Sequence, residues 1–319
     1  MGEQTNIAWT DSTANFWWGC VKVSDGCKNC YAETWANRWG KSIWGPAATT
    51  EREYKKTAWK DVPKWNAEAE AAGVRRRVFV QSMSDFFEDH PQVLPWRNKA
   101  LQLMQECRHL DFQVLTKRPE NINRMIEQAT GLGDSEMWFY TAPHVWIGTT
   151  VENQEQADRR IPHLLNVPAH VRFLSCEPLL GPVNLTGFNG PLWGRLPANQ
   201  FIHWVICGGE SGHGARPMHP EWARSLRDQC QAAGVPFFFK QWGEWADMSH
   251  SQIVASGPAV SASGNVHDWM CQNVTFADNT KRTIDAHSWT PHATDLMYRV
   301  GKHAAGNKLD GVEYQQFPA

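Results

Sequence analysis

The sequence predicts an α/β fold: a full or partial (β/α) barrel of the TIM type, about six or seven parallel strands, with a small appended C-terminal cap. Three observations lead there. Short apolar runs rich in β-branched and aromatic residues recur between residues 78 and 240, as in strands buried on both faces. Helical patterns separate most of them. The charged residues that end successive runs stand 25 to 35 residues apart, the length of one βα unit, and this alternation builds a parallel sheet with right-handed crossovers.

Taken in order, Ile7-Ala8-Trp9 reads as a first strand leading into a cysteine-bearing loop. Residues 34–73 hold two helical stretches, Thr34 to Trp39 and Pro63 to Ala72, around a polar connection containing Gly45-Pro46, and no chemistry is evident there. The second strand runs from Val78 to the tip Ser84-Asp85, and the third from Phe112 to Lys117. Val145 to Glu152 (with Thr149 near the tip), Val171 to Glu177, His203 to Glu210 and Pro236 to Lys240 complete the series. The intervening helices are expected at Leu94 to Leu110, Glu120 to Ala129, Gln154 to Leu165 and Glu221 to Ala233.

Residues 1–245 thus read as the barrel and 246–319 as a cap. Ser249 to Gly264 is rich in Ser, Ala and Gly; strand-like runs follow at Val274 to Phe276 and Leu296 to Val300, then a tight connection from Gly301 to Gly311. His267, His287, His292 and His303 have no regular spacing and read as surface or structural residues.

An apolar fraction of 42% supplies a sizeable core, and no run of eighteen apolar residues occurs, so no membrane span is expected. Met1-Gly2-Glu3-Gln4 begins nothing like a signal peptide, which makes the cytoplasm the expected location. A net charge of −2 argues against wrapping long nucleic acid through phosphates alone. The small basic groups at Arg75-Arg76-Arg77, Lys117-Arg118 and Arg159-Arg160 suit a solvated face at least as well as phosphate. Most of the eighteen tryptophans are expected in core or loop anchors, with some near the rim (Trp17, Trp18, Trp146, Trp242, Trp245) available to stack a flat ring.

The chemistry concentrates in Cys20-x6-Cys27-x2-Cys30, directly after Phe16-Trp17-Trp18. Three thiolates from one loop can hold three corners of a metal centre and leave a fourth open. Cys107, Cys176, Cys207, Cys230 and Cys271 are scattered singly, as buried inert cysteines are. Three readings stand. A structural zinc wants a fourth Cys or His at short range, and the nearest downstream histidine is His90. A disulfide leaves one thiol over and lacks a secretory context. An iron–sulfur cluster with one iron open to a small ligand is the third.

In barrels of this type the chemistry sits at the carboxyl ends of the strands. One rim would gather the three thiols with Asp85, Lys117, Glu152, Glu177, Glu210 and Lys240. Taken singly, each charge reads as a loop salt bridge; together, buried charges at one rim are costly unless paired or used. Gly208 and Gly209 would let backbone approach a ligand, or would simply make a tight strand-to-helix turn.

The chain resembles the radical S-adenosylmethionine (SAM) superfamily in placing three clustered cysteines after the first strand of a βα barrel. More closely, Gly26-Cys27-x2-Cys30-Tyr31-Ala32, Ser82-Met83-Ser84-Asp85, Leu115-Thr116-Lys117-Arg118-Pro119, Glu177-Pro178-Leu179-Leu180-Gly181-Pro182, Gly208-Gly209-Glu210-Ser211-Gly212 and Phe238-Phe239-Lys240-Gln241-Trp242-Gly243 look like a phage-associated family of poorly defined activity. The Ser-Asp tip followed by a Thr-Lys tip is similar to the spore photoproduct lyase branch. The resemblance implies a 4Fe-4S cluster on Cys20, Cys27 and Cys30 and a SAM molecule on its open iron. Ser84 and Asp85 would then lie near the SAM amino group and Lys117 near its carboxylate, with Thr149, Glu152, Gly208 and Gly209 as further cofactor-binding candidates. The superfamily's Gly-Gly-Glu normally follows the second strand; here it follows the sixth, so that role is not carried to Glu210.

The implied activity is hydrogen abstraction from a nucleotide or DNA base, such as a phage-type modified pyrimidine whose substituent is rearranged, with Glu177, Glu210 and Lys240 contacting that substituent. Such an enzyme needs a reductase or flavodoxin-type electron donor and is expected to be a monomer or weak oligomer away from membranes. Two other classes stay open: a zinc-stabilised nucleic-acid-binding or repair module without turnover, and a TIM-barrel nucleotide hydrolase or transferase using the rim carboxylates.

Overall fold

In the computed structural model, residues 5–131, 133–186, 202–247, 259–261, 270–272 and 296–318 are described. Seven strands lie side by side in chain order, every neighbouring pair parallel, in one sheet curled into a half-barrel. They are β1 (Ser12–Ala14), β2 (Arg76–Val80), β3 (Leu110–Thr116), β4 (Val145–Thr150), β5 (Arg172–Cys176), β6 (Trp204–Gly208) and β7 (Phe237–Gln241). The helices are α1 (Tyr31–Arg38), α2 (Thr57–Ala72), α3 (Leu94–Glu106), α4 (Ile122–Thr130), α5 (Ser135–Thr141), α6 (Gln154–Leu165) and α7 (Pro220–Ala233). This is the α/β partial barrel that the strand–helix period predicts.

Alternate residues of each strand serve opposite faces. Val78 and Val80 join the large core under the helices, as do Val205, Cys207, Phe237 and Phe239. Phe79, Trp204, Ile206 and Phe238 point the other way and meet Trp9 and Phe173 inside the half-barrel. Trp204 is the hub, with ring centroids of Phe173, Phe238 and Trp9 between 5.7 and 6.1 Å away.

The first strand is displaced from its expected place. Ile7-Ala8-Trp9 forms a turn closed by Thr10 N–H donating to the Ile7 carbonyl at 3.3 Å, and Trp9 is driven into the barrel interior. The edge position falls to Ser12-Thr13-Ala14, which pairs with Val78-Phe79-Val80. Helix α2 starts six residues before Pro63, which it holds internally. Helix α5 is an unanticipated seven-residue turn of chain, opened by the Asp134 side chain accepting from Glu136 N–H at 2.7 Å.

The described part of residues 245–299 forms a four-stranded antiparallel sheet from Trp245–Asp247, Ala259–Ser261, Met270–Gln272 and Leu296–Arg299. Val274 to Phe276, His267, His287 and His292 lie outside the described residues; His303 is exposed on a short helix, Lys302–Ala305. The expected tight connection thus contains that helix and a small hairpin, Lys308–Leu309 with Val312–Glu313. The last described residues return to the barrel: Phe239 N–H donates to the Tyr314 carbonyl at 2.8 Å, and Phe317 packs on Trp204 and Phe238.

Candidate functional site

At the carboxyl ends of the strands a cavity of about 660 Å³ opens, within the range of small-molecule sites. Cys20, Cys27 and Cys30 all contribute to its wall. All three are half-buried free thiols. The connection at residues 43–52 backs them: Gly45 N–H donates to the Cys20 carbonyl at 3.0 Å, and buried Arg52 pairs with Glu88 at 2.8 Å while donating to the Ile43, Gly45 and Thr50 carbonyls.

Each thiol has a neighbour suited to a thiolate. Arg118 Nη1 lies 3.8 Å from Cys20 Sγ, and Ser24 Oγ lies 4.0 Å from Cys27 Sγ. Cys30 occupies the N-cap of α1, where the Ala32 and Glu33 N–H groups ease its ionisation. In the metal-free protein burial dominates: it pushes the Cys20 thiol up to about 12, with the charges of Asp85 and Glu88 adding and Arg118 opposing. Burial also raises Cys30, against those two amides and Lys117. Among the described residues no three His, Cys, Asp or Glu side chains converge as a ready-made metal-binding group. The chemistry of the donor set, three thiols lining one cavity beside thiolate-favouring neighbours, nevertheless suits a thiophilic metal.

Three of the predicted rim carboxylates are paired with arginine and grip the cysteine loop. Asp85 bonds Arg118 Nη1 at 2.7 Å and also accepts from Thr116 Oγ1, Lys117 N–H and Phe87 N–H; Arg118 in turn donates to the Val21 carbonyl at 2.8 Å. Burial works to raise Asp85's pKa, but Arg118 and those three bonds hold it below the ordinary carboxylate value. Glu152 is fully buried, 2.6 Å from Arg160 Nη1, and accepts from Ser24 Oγ at 2.7 Å. A Cβ on Gly26 would fall on the Glu152 carboxylate, so glycine is what lets the loop approach so closely. Glu210 takes a bidentate pair from Arg216, at 2.7 and 2.9 Å, and accepts from Asn29 Nδ2 at 3.0 Å; Arg216 also reaches the Asp25 carbonyl at 2.9 Å.

The other predicted residues divide. Lys117 faces the cavity, its ammonium bonded to Thr150 Oγ1 at 3.2 Å. Glu177 and Lys240 also face it and pair at 2.9 Å, with Trp9 Nε1 donating to the second Glu177 oxygen at 3.3 Å. Ser84 lines the wall and donates to the Trp17 carbonyl at 3.1 Å, tying the strand tip to the segment before the loop. Thr149 and Glu152 are buried behind the wall; Thr149 Oγ1 donates to the Thr116 carbonyl at 2.9 Å. Gly208 makes room for Glu177, where a Cβ would lie 2.6 Å from Oε1, and Gly209 backs onto the Trp242 carbonyl. Both glycines thus accommodate protein neighbours, and Gly209 also lines the cavity. Of the tryptophans expected near the rim, Trp242 and Trp245 are spent on structure, donating to the Lys308 and Ala215 carbonyls at 2.8 Å.

Sequence reasoning missed Arg216 and Lys302, and gave Arg118 and Arg160, read as members of small basic groups, no role at the site. The three arginines follow a strand tip by one to eight residues, a spacing that offered a signal. Lys302 carried none.

Fold and site together define an α/β half-barrel protein with a thiol-lined cavity at the carboxyl ends of its strands. Residues 4–318 match the family described as "Protein of unknown function (DUF5131)", and the chain belongs to that family. There is no match among the curated proteins or among the solved structures.

Proposed function

We propose that this protein is a radical SAM enzyme, with a 4Fe-4S cluster on Cys20, Cys27 and Cys30 and a nucleotide or DNA base as substrate. The observation that carries this reading is that Cys20, Cys27 and Cys30 all line one cavity, each beside a cation or a hydrogen-bond donor. When bound, the cluster and SAM supply one-electron, hydrogen-abstracting chemistry, fed by a reductase or flavodoxin-type donor. Lys117, whose ammonium meets only a hydroxyl among the described residues, is the cation for the cofactor's carboxylate. Asp85 is a positioning residue: four donors occupy its carboxylate, and it acts by holding Arg118 and the Lys117 backbone. Glu177 and Lys240, paired within the cavity, orient the substrate and can hold or release a proton at Glu177 Oε1 or Lys240 Nζ. The aromatic floor excludes water from below.

The test is anaerobic reconstitution followed by metal analysis and EPR with and without SAM. About four irons with sulfide and a SAM-dependent change of signal are expected. A colourless protein with one zinc, or an intact cluster that yields no 5′-deoxyadenosine with nucleotides or phage-type DNA, overturns the proposal.

A further inference from the structure

Beside the main cavity a side chamber of about 220 Å³ opens, and the two share Asn6, Lys240, Gln241 and Lys302. His303 and Asn307 complete its polar wall, and no acidic residue among the described residues belongs to it. The fold places the two lysines deliberately close. Lys240 lies near the end of β7. Lys302 follows Val300 and Gly301, whose N–H groups both donate to the Glu244 carbonyl at 3.0 Å, while Trp242 N–H donates to the Gly306 carbonyl at 3.1 Å. The segment bearing Lys302 is thus tied to the residues just after β7.

The charges there do not balance. Glu177 answers Lys240 at 2.9 Å, but Lys302 makes no ion pair among the described residues. Glu244 is turned elsewhere, accepting from Gly212 N–H at 3.0 Å, and belongs to neither cavity wall. Desolvation and the neighbouring Lys240 ammonium both pull the Lys302 pKa down, against Glu177 and Glu244. Two ammonium groups, an imidazole and three side-chain amides around a small chamber match an anion with several acceptor oxygens.

We propose that this chamber is a phosphate subsite, and that the molecule transformed in the adjoining cavity carries a phosphate: a nucleotide or a DNA strand, not a free base or nucleoside. The subsite rests on the proposed function only for which molecule brings the phosphate in.

Calorimetric titration at low salt with thymidine 5′-monophosphate, thymidine, the dinucleotide TpT and inorganic phosphate tests it. The monophosphate is expected to bind at least about tenfold tighter than thymidine, the factor one charge-assisted hydrogen bond supplies. Lys302→Gln should abolish that difference without changing thymidine binding, and Lys302→Arg should restore it. Inorganic phosphate should compete with the monophosphate and leave thymidine unaffected. Lys302 is exposed, so the substitution leaves the fold intact, which a thermal melt checks. Tighter binding of the monophosphate than of TpT assigns the phosphate to a free nucleotide, and the reverse order to a strand. Equal affinity for monophosphate and thymidine, or an unchanged monophosphate affinity in both Lys302→Gln and Lys302→Glu, overturns the subsite. The triple Cys20, Cys27, Cys30→Ser variant should keep the phosphate preference while losing the cluster, so failure of the metal reading and failure of the subsite give different results.

Discussion

Replacing Glu152 by glutamine isolates the electrostatic clamp beneath the cysteine loop. Glu152 and Arg160 side chains are 1% and 2% exposed, and their closest atoms are 2.6 Å apart. Among the described residues Arg160 has one other acceptor, the Thr150 carbonyl at 2.8 Å, and its Nε has no partner. Glutamine keeps the shape and an acceptor for Ser24 but leaves a guanidinium buried without its counter-charge. Removing one partner of a buried pair costs about 3–5 kcal/mol. At roughly 2–3 °C per kcal/mol for a chain of this size, the melting temperature should fall by about 6–15 °C. Circular dichroism of the metal-free protein at neutral pH reads this directly. The double variant Glu152→Leu, Arg160→Met should recover much of the loss, since a buried pair exchanged for apolar groups of similar size is often near neutral. A Glu152→Gln melt within about 2 °C of wild type would refute the reasoning, because a charge stranded in the core cannot be that cheap.

Two further outcomes follow from the same rim. Gly26→Ala should push the loop off Glu152 and lower the iron retained after reconstitution by half or more, with a melting change smaller than that of Glu152→Gln; unchanged iron content argues against this approach as a constraint. Asp85 carries a depressed pKa, so its contribution is complete above the ordinary value of 3.8 and disappears as pH falls through the lower folded-state value. The melting-temperature gap between wild type and Asp85→Asn should therefore be constant from pH 7 to about pH 5 and narrow below about pH 4, where a gap that stays constant contradicts the assignment.

Most of the barrel was legible because β2 to β7 are largely buried on both faces and are therefore mostly apolar. The first strand was not, since its role is taken by Ser12-Thr13-Ala14, three small residues whose burial depends on neighbours a sequence does not display. Ile7 and Trp9 looked strand-like for the opposite reason: their apolarity serves the barrel interior. At the site the thiols and the charged tips were visible, but not which charges cancel. Asp85, Glu152 and Glu210 read as ligand contacts until Arg118, Arg160 and Arg216 are seen across from them; Asp85 and Glu210 still line the cavity, where Glu177 and Lys240 are the two strand tips that pair with each other. Lys302 could not be anticipated, because some sixty residues separate it from the strand it stands beside.

The ring-packed base of the half-barrel makes its chamber a blind alley among the described residues. A cofactor and a substrate bound there as proposed would lie one above the other, and release of the one against the floor should then slow when the one nearer the mouth is present.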